Sequence, residues 1–442
     1  MRYSLYDRPP MGVTFLSSLQ WLIVTLSTTV AIPIVVGNVF GLHPEEIGRF
    51  MQQTIFFVGL ASLLQAVIGH GYPMIEGPAG MWWSIFLILA QIGTGMGLSP
   101  GHIGQSIELG LMVAGVLFII LGALRWIGKI QQWFTPTITG TYMILLAVSL
   151  CTTFVKGMLG IDFQQSQVVQ PKIAVASIVI MALVVLFMRI PKVTSYAVLL
   201  GMVMGWIGYA LLGWAEPVRP TSELVVWPKL FFWGPPQWDA GILLTSVLTG
   251  FVLLTNLITS VVVLGRVTGK EAGSKEFNRG GVFTGVSHLL SGLSGVVGMI
   301  PLSLSAAVIE TTKMASRLPF IAAMIAMMAI GILPGVSHFL ASIPTPVAYA
   351  AMFVTYTQLL GFGLKDFTRV QMNERSIIVI GSSLLIGIGV MFVPTEAWKT
   401  IHPLLSFLLG NGLLLGVLIA LLLEHVVFRE PKAKEKNGPA SN

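Results

Sequence analysis

The chain has 442 residues, of which 55% are hydrophobic and only 10% charged, and its mean hydropathy is +0.85. That balance excludes a water-exposed globular domain, which would have no polar surface to present, and points to a chain folded within a bilayer. A net charge of +7 and a pI near 9.5 would suit nucleic acid, but the basic residues fall in short connections between apolar runs, among them Arg125, Lys129, Arg189, Lys192, Arg266, Lys270, Lys275 and Arg279. The charge is therefore read as a topology signal, with no nucleic-acid partner expected.

The first eleven residues are polar, and the apolar run after them is too long for a signal-peptide core, so it is expected to stay as the first span. Runs long enough to cross about 30 Å of hydrocarbon then recur along the chain. The predicted spans are 14–36, 51–69, 77–96, 106–124, 135–155, 172–189, 194–214, 241–264, 280–298, 304–316, 319–340, 345–361, 375–393 and 404–427. The fold class expected is an all-α polytopic membrane protein with about fourteen transmembrane segments. The Pro- and Trp-rich stretch 216–240 reads as an extracellular loop dividing two halves. The Lys and Arg distribution puts both termini in the cytoplasm, in a multi-pass protein of the cytoplasmic (inner) membrane, and makes Arg429 to Lys436 a solvated anchor. Cys151, the single cysteine, has no internal disulfide partner and is expected to be a small buried filler.

The halves echo one another. Phe134-Thr-Pro-Thr-Ile-Thr-Gly140 and Ile343-Pro-Thr-Pro-Val-Ala-Tyr349 open the fifth span of each half, and Gly201/Gly205 and Gly412/Gly416 lie in the seventh. An odd number of spans per half inverts the second copy, giving an inverted repeat. The third span of each half is interrupted, by Tyr72-Pro-Met-Ile-Glu-Gly-Pro-Ala-Gly80 and by Gly298-Met-Ile-Pro-Leu-Ser-Leu-Ser305. Paired interruptions of this kind mark a transporter site at the bilayer midplane, where half-helix ends face the substrate.

At the first interruption, Gly77 and Pro78 predict a helix start and a half-helix from Ala79, with Gly80 in its first turn, whose free amides and positive dipole end favour a carbonyl oxygen or an anion. Glu76 stands beside that end, either as a functional intramembrane acid or as a capping acid. Trp82 and Trp83 offer aromatic faces for a planar ring or anchors at the interface. At the second, Ser303 and Ser305 are candidate caps, while Glu310 either lines the cavity or pairs with Lys313. Gln20 and Asn256 can read a lactam edge or tie helices together. His70, His288 and His338 lack metal-ligand spacing and read as structural. Energy coupling requires a group that changes charge as the site alternates, and Glu76 and Glu310 are the candidate proton carriers. Gly265 to Glu271 has the wrong glycine spacing for a phosphate loop, so neither ATP nor another cofactor is expected, and no metal site is assigned.

Leu19-Gln-Trp21 with Val30-Ala-Ile-Pro33, Glu76-Gly-Pro-Ala-Gly80, Phe134 to Gly140 and Thr312 to Arg317 together resemble the nucleobase-ascorbate transporter family, also called nucleobase:cation symporter family 2 or the xanthine/uracil permeases. The likeness is nearest to a divergent bacterial branch of purine/pyrimidine permeases. It implies two inverted seven-span repeats with short extended elbows in spans 3 and 10. It also implies a core domain (1–130 and 241–341) and a gate domain (131–215 and 342–428), with 429–442 a cytoplasmic tail. The implied activity is nucleobase symport with a cation, H+ or Na+, by a possible homodimer. The pattern departs at the site. Asn256 and Ser260 stand where relatives carry a substrate-binding Glu and a frequent His, and Leu304 and Ser305 replace an acid or amide and an Asn. Glu76 and Glu310 then read as relocated carboxylates. The rival readings are an anion transporter of the same architecture and an intramembrane enzyme, the latter without a Ser-His or metal-ligand pair to support it.

Overall fold

The computed structural model describes residues 2–127, 133, 135–161, 163–191, 193–194, 197–215, 223–398, 401 and 403–428. The tail from Arg429, residues 216–222 of the dividing loop, the core–gate boundary at 130/131, and Phe134, Lys129 and Lys192 lie outside the described residues.

The first half contains α1 (Met11–Thr29), α2 (Ala31–Val39), α3 (Pro44–Val67), strand β1 (Glu76–Pro78), α4 (Gly80–Gly95), α5 (Pro100–Ala123), α6 (Pro136–Met158), α7 (Pro171–Arg189) and α8 (Ala197–Leu211). The second contains α9 (Ala240–Thr268), α10 (Ser274–Ser294), strand β2 (Met299–Pro301), α11 (Ser305–Thr312), α12 (Arg317–Gly331), α13 (Pro334–Ala341), α14 (Thr345–Phe367), α15 (Glu374–Met391), α16 (Pro403–Gly410) and α17 (Gly412–Leu422). Local chemistry sets many starts. Proline opens α3, α5, α6 and α7, where its missing N–H costs nothing. Ser99, Thr135, Asp239, Asn373 and Asn411 each accept a first-turn amide of the helix that follows.

Seven helices among the described residues are long and apolar enough to cross a membrane, eight if α12 and α13, bent by 86°, form one span. The fourteen segments expected from the sequence exceed that number because several apolar runs are realised as shorter helices, such as α4 and α8, or as strand-plus-helix pieces.

Small residues let helices close on one another. A methyl group at Gly115 of α5 would stand 2.7 Å from the Gly285 carbonyl of α10, so the two backbones touch and weld these helices together. A methyl at Gly201 would collide with Val184 of α7, and one at Gly412 with the Gly387 backbone of α15. Cys151 is exposed on α6 instead of buried, because it occupies the outward face, which in a bilayer meets lipid.

The two interruptions meet. After α3 the chain runs extended to β1, which pairs antiparallel with β2 in the register Glu76↔Pro301, Gly77↔Ile300 and Pro78↔Met299, every residue buried. The ladder continues through Ala79 N–H to Gly298 O and Leu302 N–H to Ile75 O, each at 2.8 Å. This pairing satisfies backbone groups that would otherwise be orphaned in hydrocarbon. Pro78 therefore ends the strand, and Ala79 takes the cap position of a helix that begins at Gly80, one residue later than the sequence suggests.

Candidate functional site

The elbow formed by β1 and β2 gathers most of the residues singled out in the sequence. α4 leaves it with no side chain capping its N-terminus, and its first amides, on Gly80, Met81 and Trp82, reach no backbone or side-chain acceptor among the described residues. Such an end presents donors and a positive dipole to whatever occupies the elbow. α11 starts close by, also without a side-chain cap. Ser305 does not cap it; its buried hydroxyl accepts the Ile75 N–H at 3.0 Å and ties the two elbows together. Leu304 is 36% exposed.

The adjacent tryptophans diverge. Trp82 is fully buried and its Nε1–H donates to His288 Nε2 at 2.7 Å, while His288 Nδ1 lies 2.8 Å from the Thr284 carbonyl. It is a core residue, already engaged, and not a free stacking face. Trp83 turns the other way, edge-on to Tyr356 of α14 at 4.9 Å and to Phe154 of α6 at 5.7 Å. The Tyr356 hydroxyl sits 3.5 Å from the Gly80 carbonyl. A methyl at Gly80 would meet nothing closer than 3.6 Å, so there is room at the mouth of the half-helix. Neither tryptophan is an interface anchor, since both are buried.

Asn256 on α9 is half-buried. The Ser260 hydroxyl lies between Asn256 Oδ1 (3.1 Å) and the Pro301 carbonyl of β2 (3.0 Å), which brings this pair to the back of the second elbow. Gln20 is half-buried on α1, a helix that touches β1, and its amide makes no hydrogen bond among the described residues. Glu310 is exposed on α11 and forms no ion pair with Lys313 among the described residues.

Glu76 is fully buried. Its N–H donates to Ser62 Oγ at 2.8 Å, and its carboxylate stands 3.9 Å from His70 Nε2. Both carboxylate oxygens and that nitrogen lack a hydrogen-bond partner among the described residues. His70 reads as structural from the sequence because no ligand spacing marks it; its proximity to Glu76 arises across a non-helical stretch that has no period. Tyr356 and Phe154 carry no local signal either and enter only through tertiary packing.

Residues 12–396 match the Xan_ur_permease model, described as Permease family. The chain belongs to the xanthine/uracil permease family. This permease is 33% identical to YwdJ of Bacillus subtilis (strain 168), over 92% of its own length and 94% of that protein's. With the uric acid permease PucK of the same organism it shares 26% identity, over 93% and 94% of the two chains. Among solved structures, the transmembrane domain of the cyanobacterial bicarbonate transporter BicA superposes with a TM-score of 0.66 at 15% identity, over 89% of the permease and 98% of that chain, a likeness of fold. The permease is thus a polytopic membrane transport protein of the nucleobase-transporter family.

Proposed function

We propose that the protein imports a purine or pyrimidine base across the cytoplasmic membrane by symport with a cation, its core and gate domains alternating access to the β1–β2 elbow. The observation that carries this reading is the antiparallel pairing of the two interruptions, which leaves the uncapped start of α4 beside Trp83 and Tyr356. Amide donors suit the carbonyl groups of an oxidised base and an aromatic edge suits its ring. The reading adopts fourteen segments in two inverted repeats, with core (1–130, 241–341) and gate (131–215, 342–428) as expected from the sequence, both termini in the cytoplasm, and a homodimer. Close contacts of α5 with α10 within the core, and of α6 with α14 and α15 within the gate, support that division. The substrate-contacting set is Gly80, Trp83, Asn256 and Glu76, with Gly77, Ala79, Leu304 and Ser305 shaping the elbow; Trp82 and Gln20 stand behind it. That PucK is a uric acid permease favours a purine.

The test is uptake of radiolabelled uric acid, xanthine and uracil in cells lacking their own transporters. Saturable uptake of at least one base, competed by unlabelled base and not by sulfate or bicarbonate, is expected. Inhibition by the anions alone would replace the reading with anion transport.

A further inference from the structure

We infer that His70 and Glu76 together form the proton-carrying element of this permease; the inference rests on the secondary-active reading above. The two side chains are fully buried and face each other at 3.9 Å, while both Glu76 oxygens and His70 Nε2 have no hydrogen-bond partner among the described residues. A buried polar atom without a partner calls for an explanation, and here two such groups of opposite proton affinity stand side by side.

The backbone fixes which imidazole nitrogen carries hydrogen. Tyr72 N–H donates to His70 Nδ1 at 3.0 Å, so the neutral ring has its hydrogen on Nε2, the nitrogen turned toward Glu76. A donor N–H beside a carboxylate repels a metal cation and offers it no lone pair. A proton on Glu76 fits the geometry: in the loaded state the carboxyl is neutral, and once the proton leaves, the carboxylate accepts Nε2–H as the gap closes to about 2.8 Å.

The ring is held for this task. The backbone N–H of His70 donates to Gln65 Oε1 at 3.3 Å, the Gln65 amide donates to Gly280 O and Thr284 Oγ1, and Tyr72 stacks on the ring at 5.8 Å. The charged and titratable groups around this connection are Tyr6, Tyr72, Lys270, Glu276, Arg279 and Arg317. Arg317 and Arg279 bond the Ala66 and Ile68 carbonyls, and Lys270 pairs with Glu276 at 3.2 Å, so none of them neutralises Glu76. Glu76 lies in β1, three residues before the cap of α4, which links its protonation to the substrate end of the elbow.

Infrared difference spectra of the purified protein over pH test the pair without reference to substrate. A carboxylic C=O band is expected in the wild type, absent in Glu76→Gln, and retained in His70→Gln with its titration midpoint displaced by about 1 pH unit or more. Isotope-labelled histidine resonances, compared between wild type and Glu76→Gln, give the same answer without altering His70. In proteoliposomes a pH gradient, and not a sodium gradient, should drive base accumulation, and Glu76→Gln should lose accumulation at least about 10-fold. Absence of a Glu76-dependent band, an unmoved midpoint and unmoved histidine resonances, or accumulation driven by sodium would each overturn the pair. If the spectra behave as expected but no base is carried, the substrate assignment fails and the pair stands.

Discussion

Two neighbouring tryptophans show how finely single residues divide the work. Trp82 donates to a buried histidine; Trp83 faces across to Tyr356. Trp82→Phe leaves His288 Nε2 without its donor, at a cost of about 1–3 kcal/mol. It is expected to lower the melting temperature in detergent with little change in KM for the transported base. Trp83→Ala is expected to raise that KM by up to about 10-fold, the worth of one aromatic contact, and, because the ring is buried, to cost more thermal stability than Trp82→Phe does. Equal KM values for Trp83→Ala and wild type would remove Trp83 from the site. The sequence makes the pair conspicuous but not its division. Consecutive helical positions point about 100° apart, and only the arrival of His288 from one side and Tyr356 from the other decides their duties.

At the scale of elements, the β1–β2 elbow depends on a few interlocking groups. Ser305→Ala deletes the acceptor of the buried Ile75 amide, costing about 1–3 kcal/mol. A methyl at Gly298 would stand 2.5 Å from Trp82 Cδ1 and 2.7 Å from Leu111 Cδ2, an overpacking worth about 1–3 kcal/mol in Gly298→Ala. Both variants are expected to reach the membrane in reduced amount, read by immunoblot and by size-exclusion profile; a wild-type yield from both would show the elbow to be tolerant. The interruptions were legible because glycine, proline and an acid are conspicuous inside apolar runs. The family resemblance implied only short extended elbows, and their mutual pairing was not legible, since two three-residue strands far apart in sequence carry no alternation from which to read a partner or a register. The same shortness explains why β1 and α4 together read as a helix start at Ala79.

For the whole molecule, the proposed motion makes cross-linking informative. In a Cys151→Ser background, cysteines at Ser84 and Tyr356 join α4 to α14, and a thiol-bridging reagent is expected to arrest uptake until reductant is added. Cysteines at Gln53 and Lys229 join α3 to a loop already strapped onto it, where the Lys229 N–H donates to Gln53 Oε1 at 2.8 Å, and bridging them is expected to leave uptake unchanged. Arrest by the second bridge alone would reverse the assignment of moving parts. The register Glu76↔Pro301 has a further consequence for how the chain is made. The ribosome delivers the first strand long before the second, so the nascent protein must shelter an unmatched, polar backbone edge within or beside the lipid until its counterpart is inserted. Biogenesis of the amino-terminal half is thereby committed to waiting, and quality control that samples half-finished products would meet its clearest target at that edge.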